Sequence, residues 1–263
     1  MDYVKWLYRP LASRAARQAL VGRERTRGTP GRGRYTRSDV DSLLKTAWSN
    51  YTEREGKLPA EPTVGSRMNV RLACFTMTFF NALLATGAER EYATELVADA
   101  AWKVYRLWSQ IALALALLTP GKKTSLAFAA GKRGGAPGEV SLRFPFNAPG
   151  YLIETVAAPA GTAFDVVRCP IAEYFRREDA VDLCTAAWCN LDYPLAEMTH
   201  EKLVRTTTLV KGGERCDFRL TQDRSVAGVA GTADASGRAW PSTRRNECLL
   251  PGPSPMTAIG GLC

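Results

Sequence analysis

Apolar residues recur at helical spacing through the first half of the chain and alternate through much of the second. Val40, Leu43, Leu44 and Trp48 mark an amphipathic helix, with Ser38 and Asp39 as candidate N-caps. Pro59 to Gly65 interrupts it. The stretch 69–86 predicts a second helix, with Leu72, Phe75, Phe79, Phe80, Leu83 and Leu84 at helical spacing and Gly87 as its C-cap. Residues 89–118 read as one long helix or two abutting ones, closed by Thr119 and Pro120. The far end, 111–118, is apolar on every face and predicts deep burial.

The pattern changes after Gly121. A Gly-rich basic loop at 131–138 leads into 139–146, where Val140, Leu142, Phe144 and Phe146 alternate as in a strand. Residues 151–157 and 163–168 predict two more strands, and 171–198 predicts a helix. Two further strands, 203–210 and 215–220, are joined by a turn at Lys211-Gly-Gly-Glu214. From residue 225 on, Gly, Ser, Thr and Pro displace the pattern and predict a poorly ordered tail. The expected fold is α+β: N-terminal helices packed on a small, mainly antiparallel sheet with one inserted helix. The expected organisation is a basic N-terminal arm (1–40), a single domain (41–224) and the tail (225–263).

The net charge is +9 over 263 residues, and it is unevenly placed. Residues 1–40 hold ten Lys or Arg against three Asp or Glu, so most of the excess lies there. The body of the domain is nearly neutral, which argues against nucleic acid as a partner. Two readings of 1–40 stand. One is an Arg-rich, acid-poor surface helix in contact with an anionic membrane, or a targeting peptide. The other is a helix that packs its aromatics on the domain, followed by a loop. The longest apolar run has eight residues, against the ~20 a spanning helix needs. Seven cysteines fit no dense disulfide framework, and no secretory leader opens the chain. The expectation is a cytoplasmic protein with reduced thiols.

No dinucleotide fingerprint, phosphate loop, nucleophile elbow or zinc-protease motif occurs, and His200 is the only histidine. Reactive residue types concentrate instead in 165–219. Cys169, Cys184, Cys189 and Cys216 lie there with Asp192, Asp217, His200 and Arg205. Cys189 and Asp192 are three apart and share a face if helical. Cys169 precedes Pro170 where a strand meets a helix, so the helix dipole is expected to lower its pKa. Cys216 and Asp217 fall on opposite faces of a strand. Each cysteine taken alone serves equally well as a small core hydrophobe. Arg205, in an apolar and Thr-rich strand, calls for a carboxylate from the protein or from a ligand.

Three blocks carry a resemblance. They are Arg168-Cys-Pro-Ile-Ala-Glu-Tyr-Phe175, Leu183-Cys-Thr-Ala-Ala-Trp-Cys-Asn-Leu-Asp192, and Val204-Arg-Thr-Thr-Thr-Leu-Val-Lys-Gly-Gly-Glu-Arg-Cys-Asp-Phe218. In this order and spacing they resemble the L-2-amino-thiazoline-4-carboxylic acid hydrolase family over about residues 65–220. More loosely, the closing strands resemble small-molecule sensing domains related to 4-vinyl reductases. The first resemblance implies hydrolytic opening of a 2-amino-thiazoline carboxylate, a cyclic amidine with a carboxylate. The second implies a non-catalytic binding protein on the same fold. For hydrolysis, Cys189 is the candidate nucleophile, or it activates a water together with Asp192. Arg205 is the candidate carboxylate anchor, and His200 or Asp217 the proton donor. Cys169 and Cys216 line the site. No cofactor is expected. The alternative is zinc on Cys169, Cys189 and Cys216 with a fourth position open.

Overall fold

A computed structural model describes residues 3–27, 32–117, 149–158, 162–198 and 201–222. The chain divides into two units, Met1–Ala227 and Gly228–Cys263. The second lies outside the described residues, as do the loop at 131–138 and the strand expected at 139–146.

Four helices form the first half: α1 (Tyr3–Leu20), α2 (Arg37–Glu55), α3 (Val64–Ala85) and α4 (Arg90–Leu117). The cap of α2 is Thr36, ahead of the expected Ser38 and Asp39. Thr36 Oγ1 accepts from the Asp39 N–H (3.2 Å), and the Asp39 carboxylate accepts from the Thr36 N–H (2.8 Å). This reciprocal box satisfies two end donors at once, which a cap at Asp39 does not. The third helix begins at Val64, inside the expected break. Thr63 and Ser66 form a second reciprocal box there, and Gly65 is absorbed into the first turn. Gly87 takes φ +86° and donates its N–H to the Leu84 carbonyl (2.9 Å), closing α3 as expected. The fourth helix is continuous; the side chains of 111–118 lie outside the described residues.

Aromatic rings fill the helical core. Trp48 stacks on Phe75 with centroids 4.0 Å apart, Phe79 lies parallel to Phe75, and Tyr51 and Tyr8 meet Phe75 edge-on. By length and composition α3 is apolar enough to cross a membrane. Its Val70, Ala73, Phe80 and Leu83 are enclosed by protein, as befits a core helix. The first helix joins this core through Ala12, Ala15, Ala16 and Ala19, whose small side chains let it lie close, and through the fully buried Leu20. Residues 1–40 thus include a packed helix rather than only a free arm.

The second half is a four-stranded antiparallel sheet with short helices inserted. Its strands are β1 (Leu152–Thr155), β2 (Thr162–Arg168), β3 (Glu201–Val204) and β4 (Cys216–Gln222), in the order β1-β2-β4-β3. Phe164 lies opposite Phe218 in the β2–β4 register, and their rings stack at 4.7 Å. Alternation puts Cys216, Phe218 and Leu220 on one face, and Asp217 and Arg219 on the other.

Two expectations are corrected here. The single helix over 171–198 is broken into α5 (Pro170–Arg177), α6 (Val181–Ala187), a 3-10 turn (Cys189–Leu191) and α7 (Asp192–Met198). Asp179 takes φ +51° after α5, and Trp188 takes φ −134°, ψ −65° after α6; neither conformation propagates a helix. The strand over 203–210 ends at Val204. A 3-10 turn follows at Leu209–Lys211, and Gly212 turns the chain with φ +89°. Residues 205–215, not a four-residue turn, join β3 to β4. With these changes the α+β class stands.

Candidate active site

Cys169 is the N-cap of α5, and its Sγ accepts from the Ala172 N–H (3.5 Å). Its thiol is nevertheless pushed up to about 12 by burial, and the helix N–H bonds recover only part of that. The expected dipole effect is outweighed because an eight-residue helix end acts on a thiol largely shielded from water.

The break at Trp188 controls the next pair. It ends α6 and begins a new turn, and Cys189 is thereby brought back to Cys184. The Cys184 thiol is placed to donate to the Cys189 sulfur. That bond, with the charges of Arg205 and Lys211, holds the Cys189 thiol below its ordinary range against the effect of burial. The Cys184 thiol is raised correspondingly, because losing its proton would break the same bond. Cys216 accepts from the Leu209 N–H (3.2 Å), and burial pushes its thiol up to about 11. Of the four thiols, Cys189 alone is shifted toward thiolate.

Arg205 stands just beyond β3, with its side chain 3% exposed. It donates to Asp192 Oδ2 (3.0 Å) and to the Cys189 carbonyl (2.7 Å). Its guanidinium lies 5.2 Å from the ring centres of both Tyr193 and Phe218. Its Nε is buried and has no hydrogen-bond partner. Arg205 therefore ties the Cys189 turn to the start of α7. Burial pushes the Asp192 carboxyl up to about 6, with Arg205 drawing it the other way. Cys189 and Asp192 meet here through a 3-10 turn and one shared arginine, not along a single helix face.

Asp217 holds the loop that carries Arg205. It accepts from Thr206 N (2.9 Å), Thr207 N (2.7 Å) and Thr206 Oγ1 (2.7 Å). Burial would raise its carboxyl, but these bonds outweigh it and leave it below the usual range. It lies on the sheet face opposite Cys216, so the structure separates it from the thiol cluster. The expected proton donor His200 lies outside the described residues.

Beside the Cys189 turn is an open groove of about 780 Å³, lined by Arg90, Asp182, Thr185, Ala186, Asn190 and Lys211, among others. Arg90 holds Asp182 through two bonds, of 2.7 and 2.8 Å. Lys211 is exposed, and among the described residues no ion pair engages it. Sequence reasoning passed over Lys211, Tyr193 and Phe218. The only available signal for Lys211 was a basic residue ahead of a glycine pair. Among the described residues, no three His, Cys, Asp or Glu side chains come together as a metal site. Cys169, Cys189 and Cys216 do not fit the zinc alternative, and no step below passes through a metal.

No curated protein and no solved structure matches the chain. The part of the resemblance that precedes residue 152 lies outside the matched segment. Residues 152–220, which hold Cys169, Cys184, Cys189, Asp192, Arg205 and Cys216, match the model of the L-2-amino-thiazoline-4-carboxylic acid hydrolase family.

Proposed function

We propose that the protein is a hydrolase that opens a small cyclic amidine bearing a carboxylate, of the 2-amino-thiazoline-4-carboxylate kind. The observation that carries this reading is Cys189, the one thiol of four shifted toward thiolate, set beside an Asp192 carboxyl raised to about 6. A nucleophile and an acid/base that titrates near neutrality are what such a ring opening requires.

In this scheme the Cys189 thiolate attacks the ring carbon between nitrogen and sulfur. Protonated Asp192 gives its proton to the ring atom that leaves. Water then attacks the enzyme-bound carbon, gives a proton to Asp192, and releases Cys189 as thiolate. One water is consumed and one ring bond is broken. Arg205 is already committed to Asp192 and the Cys189 carbonyl, so the substrate carboxylate is assigned to Lys211 on the groove rim.

The test is product formation from a thiazoline carboxylate. Wild-type protein is expected to turn over. Cys189→Ala is expected to lose about a thousandfold or more in kcat with little change in melting temperature. Undiminished turnover by Cys189→Ala overturns the assignment. The commitment of Arg205 favours a second reading, a binding protein on the same fold. Tight binding of the carboxylate by wild type with no product would establish that reading instead.

A further inference from the structure

The outer face of α1 is unlike the rest of the described surface. Trp6 is 78% exposed and Leu7 46% exposed, the former being a large cost for a tryptophan left in water. Arg9, Pro10 and Arg14 are exposed alongside them. Residues 6, 10 and 14 are four apart, and 7 and 14 are seven apart, so these side chains share one stripe of the helix. The opposite stripe, through Ala12, Ala15, Ala16 and Ala19, is buried in the core. The helix is therefore fixed in orientation, with Trp6 and Leu7 held outward.

The charges on this helix sort the same way. Lys5 is neutralised by Glu55 and Arg17 by Asp41, each at 2.7 Å. Among the described residues no acidic partner engages Arg9 or Arg14, so the stripe that exposes the apolar residues also carries this positive charge. Arg23 reaches Asp99 and Arg27 reaches Glu95, so these two cations are paired as well.

We propose that this stripe docks the protein on an anionic lipid surface, with Trp6 and Leu7 entering the headgroup boundary and Arg9 and Arg14 contacting lipid phosphates. A tryptophan and a leucine flanked by cations suit an interface that is apolar beneath and negative above. A protein partner would bury the same apolar residues. Arg9 and Arg14, in a segment that holds most of the net charge, favour the anionic lipid.

The experiment is co-sedimentation of the full chain with phosphatidylcholine vesicles, with and without phosphatidylserine, at low and high salt. Binding is expected only with phosphatidylserine, and it should weaken as salt rises. Arg9→Gln with Arg14→Gln should reduce partition about thirtyfold, the equivalent of ~1 kcal/mol per cation. Trp6→Ser with Leu7→Ser should reduce it at least tenfold, at an unchanged melting temperature, since both side chains are exposed. Absence of sedimentation with anionic vesicles overturns the proposal. Equal sedimentation with neutral vesicles, or variants that bind like wild type, overturns it as well. Thiazoline turnover is read separately and is expected to be unchanged in both variants.

Discussion

The helical layer and the segment 152–222 are built on different principles. In the helical layer the buried groups are mostly hydrocarbon and aromatic; its buried polar side chains are four threonines, Ser66 and Glu61, of which Thr63 and Ser66 serve a helix cap. Segment 152–222 buries Asp165, Asp217 and the Arg205 side chain together with Cys184 and Cys216. It also uses three short helices where the helical layer uses long ones. Asp165 and Asp217 even face each other across β2 and β4, an arrangement that costs energy unless each is compensated. Arg219 and Arg215 compensate the first, and the Thr206–Thr207 loop compensates the second. Hydrocarbon burial supplies stability with little dependence on geometry. Buried polar groups must be matched one by one, and that matching fixes the Cys189 turn in place.

Phe75→Ala is the largest test of this contrast. It removes the ring on which Trp48, Tyr51, Tyr8 and Phe79 converge, and should cost about 3–5 kcal/mol in denaturant unfolding. The fraction that stays folded should keep its kcat. A Phe75→Ala protein as stable as wild type would mean that the layer tolerates a cavity that its packing forbids.

Arg205→Met comes next. It leaves Asp192 without its cation and should cost roughly 3 kcal/mol, and kcat should fall with it. Adding Asp192→Asn should restore much of the stability and none of the activity. If the double variant is no more stable than the single one, the loss comes from packing between Tyr193 and Phe218 and not from charge.

The pH dependence separates the two carboxylates. Asp192 has a raised folded pKa, so its contribution is fully present below the ordinary carboxylate range, near 4, and is lost as pH rises through about 6. Relative to Asp192→Asn, wild type should lose roughly 3 kcal/mol across that window. Asp217 is depressed, so its contribution is present above the ordinary carboxylate range and lost as pH falls through its folded value. Urea titrations at a series of pH values read both slopes. A flat difference between wild type and Asp192→Asn would place that carboxyl in water.

The smallest effect belongs to the helical layer. Thr36→Ala removes one half of the α2 capping box and should cost about 1 kcal/mol, with no change in catalysis. A thermal melt checks the first expectation and a turnover assay the second.

The helical half was largely legible because long helices repeat one pattern. The stripe of Leu72, Phe75, Phe79 and Leu83 names both the helix and its buried face. Boundaries were less legible, since Thr36 and Thr63 cap through a partner three residues on, and Ser38 competed for the same role. The short helices of 170–198 were not legible as separate pieces. Their breaks fall at Asp179 and Trp188, neither of which is a glycine or a proline. The candidate residues were found by their chemical type, but their relations were not. Cys169 illustrates this: its place at a helix start was correct, while the sign of its shift was set by burial. Arg205 illustrates it again, because its carboxylate proved to be Asp192.

By itself the sequence determined the α+β class, the antiparallel strands, the concentration of thiols in 169–216 and the basic excess near the N-terminus. These follow from local periodicity and composition, which require no knowledge of what lies across the core. Only the tertiary structure decided that Cys184 bonds Cys189, that Arg205 is spent on Asp192, that Asp217 braces a loop, and that Trp6 faces outward. Each of these depends on a contact between residues brought together by folding. Hydrogen bonds and burial act over a few ångströms in space, and a position along the chain does not report that distance.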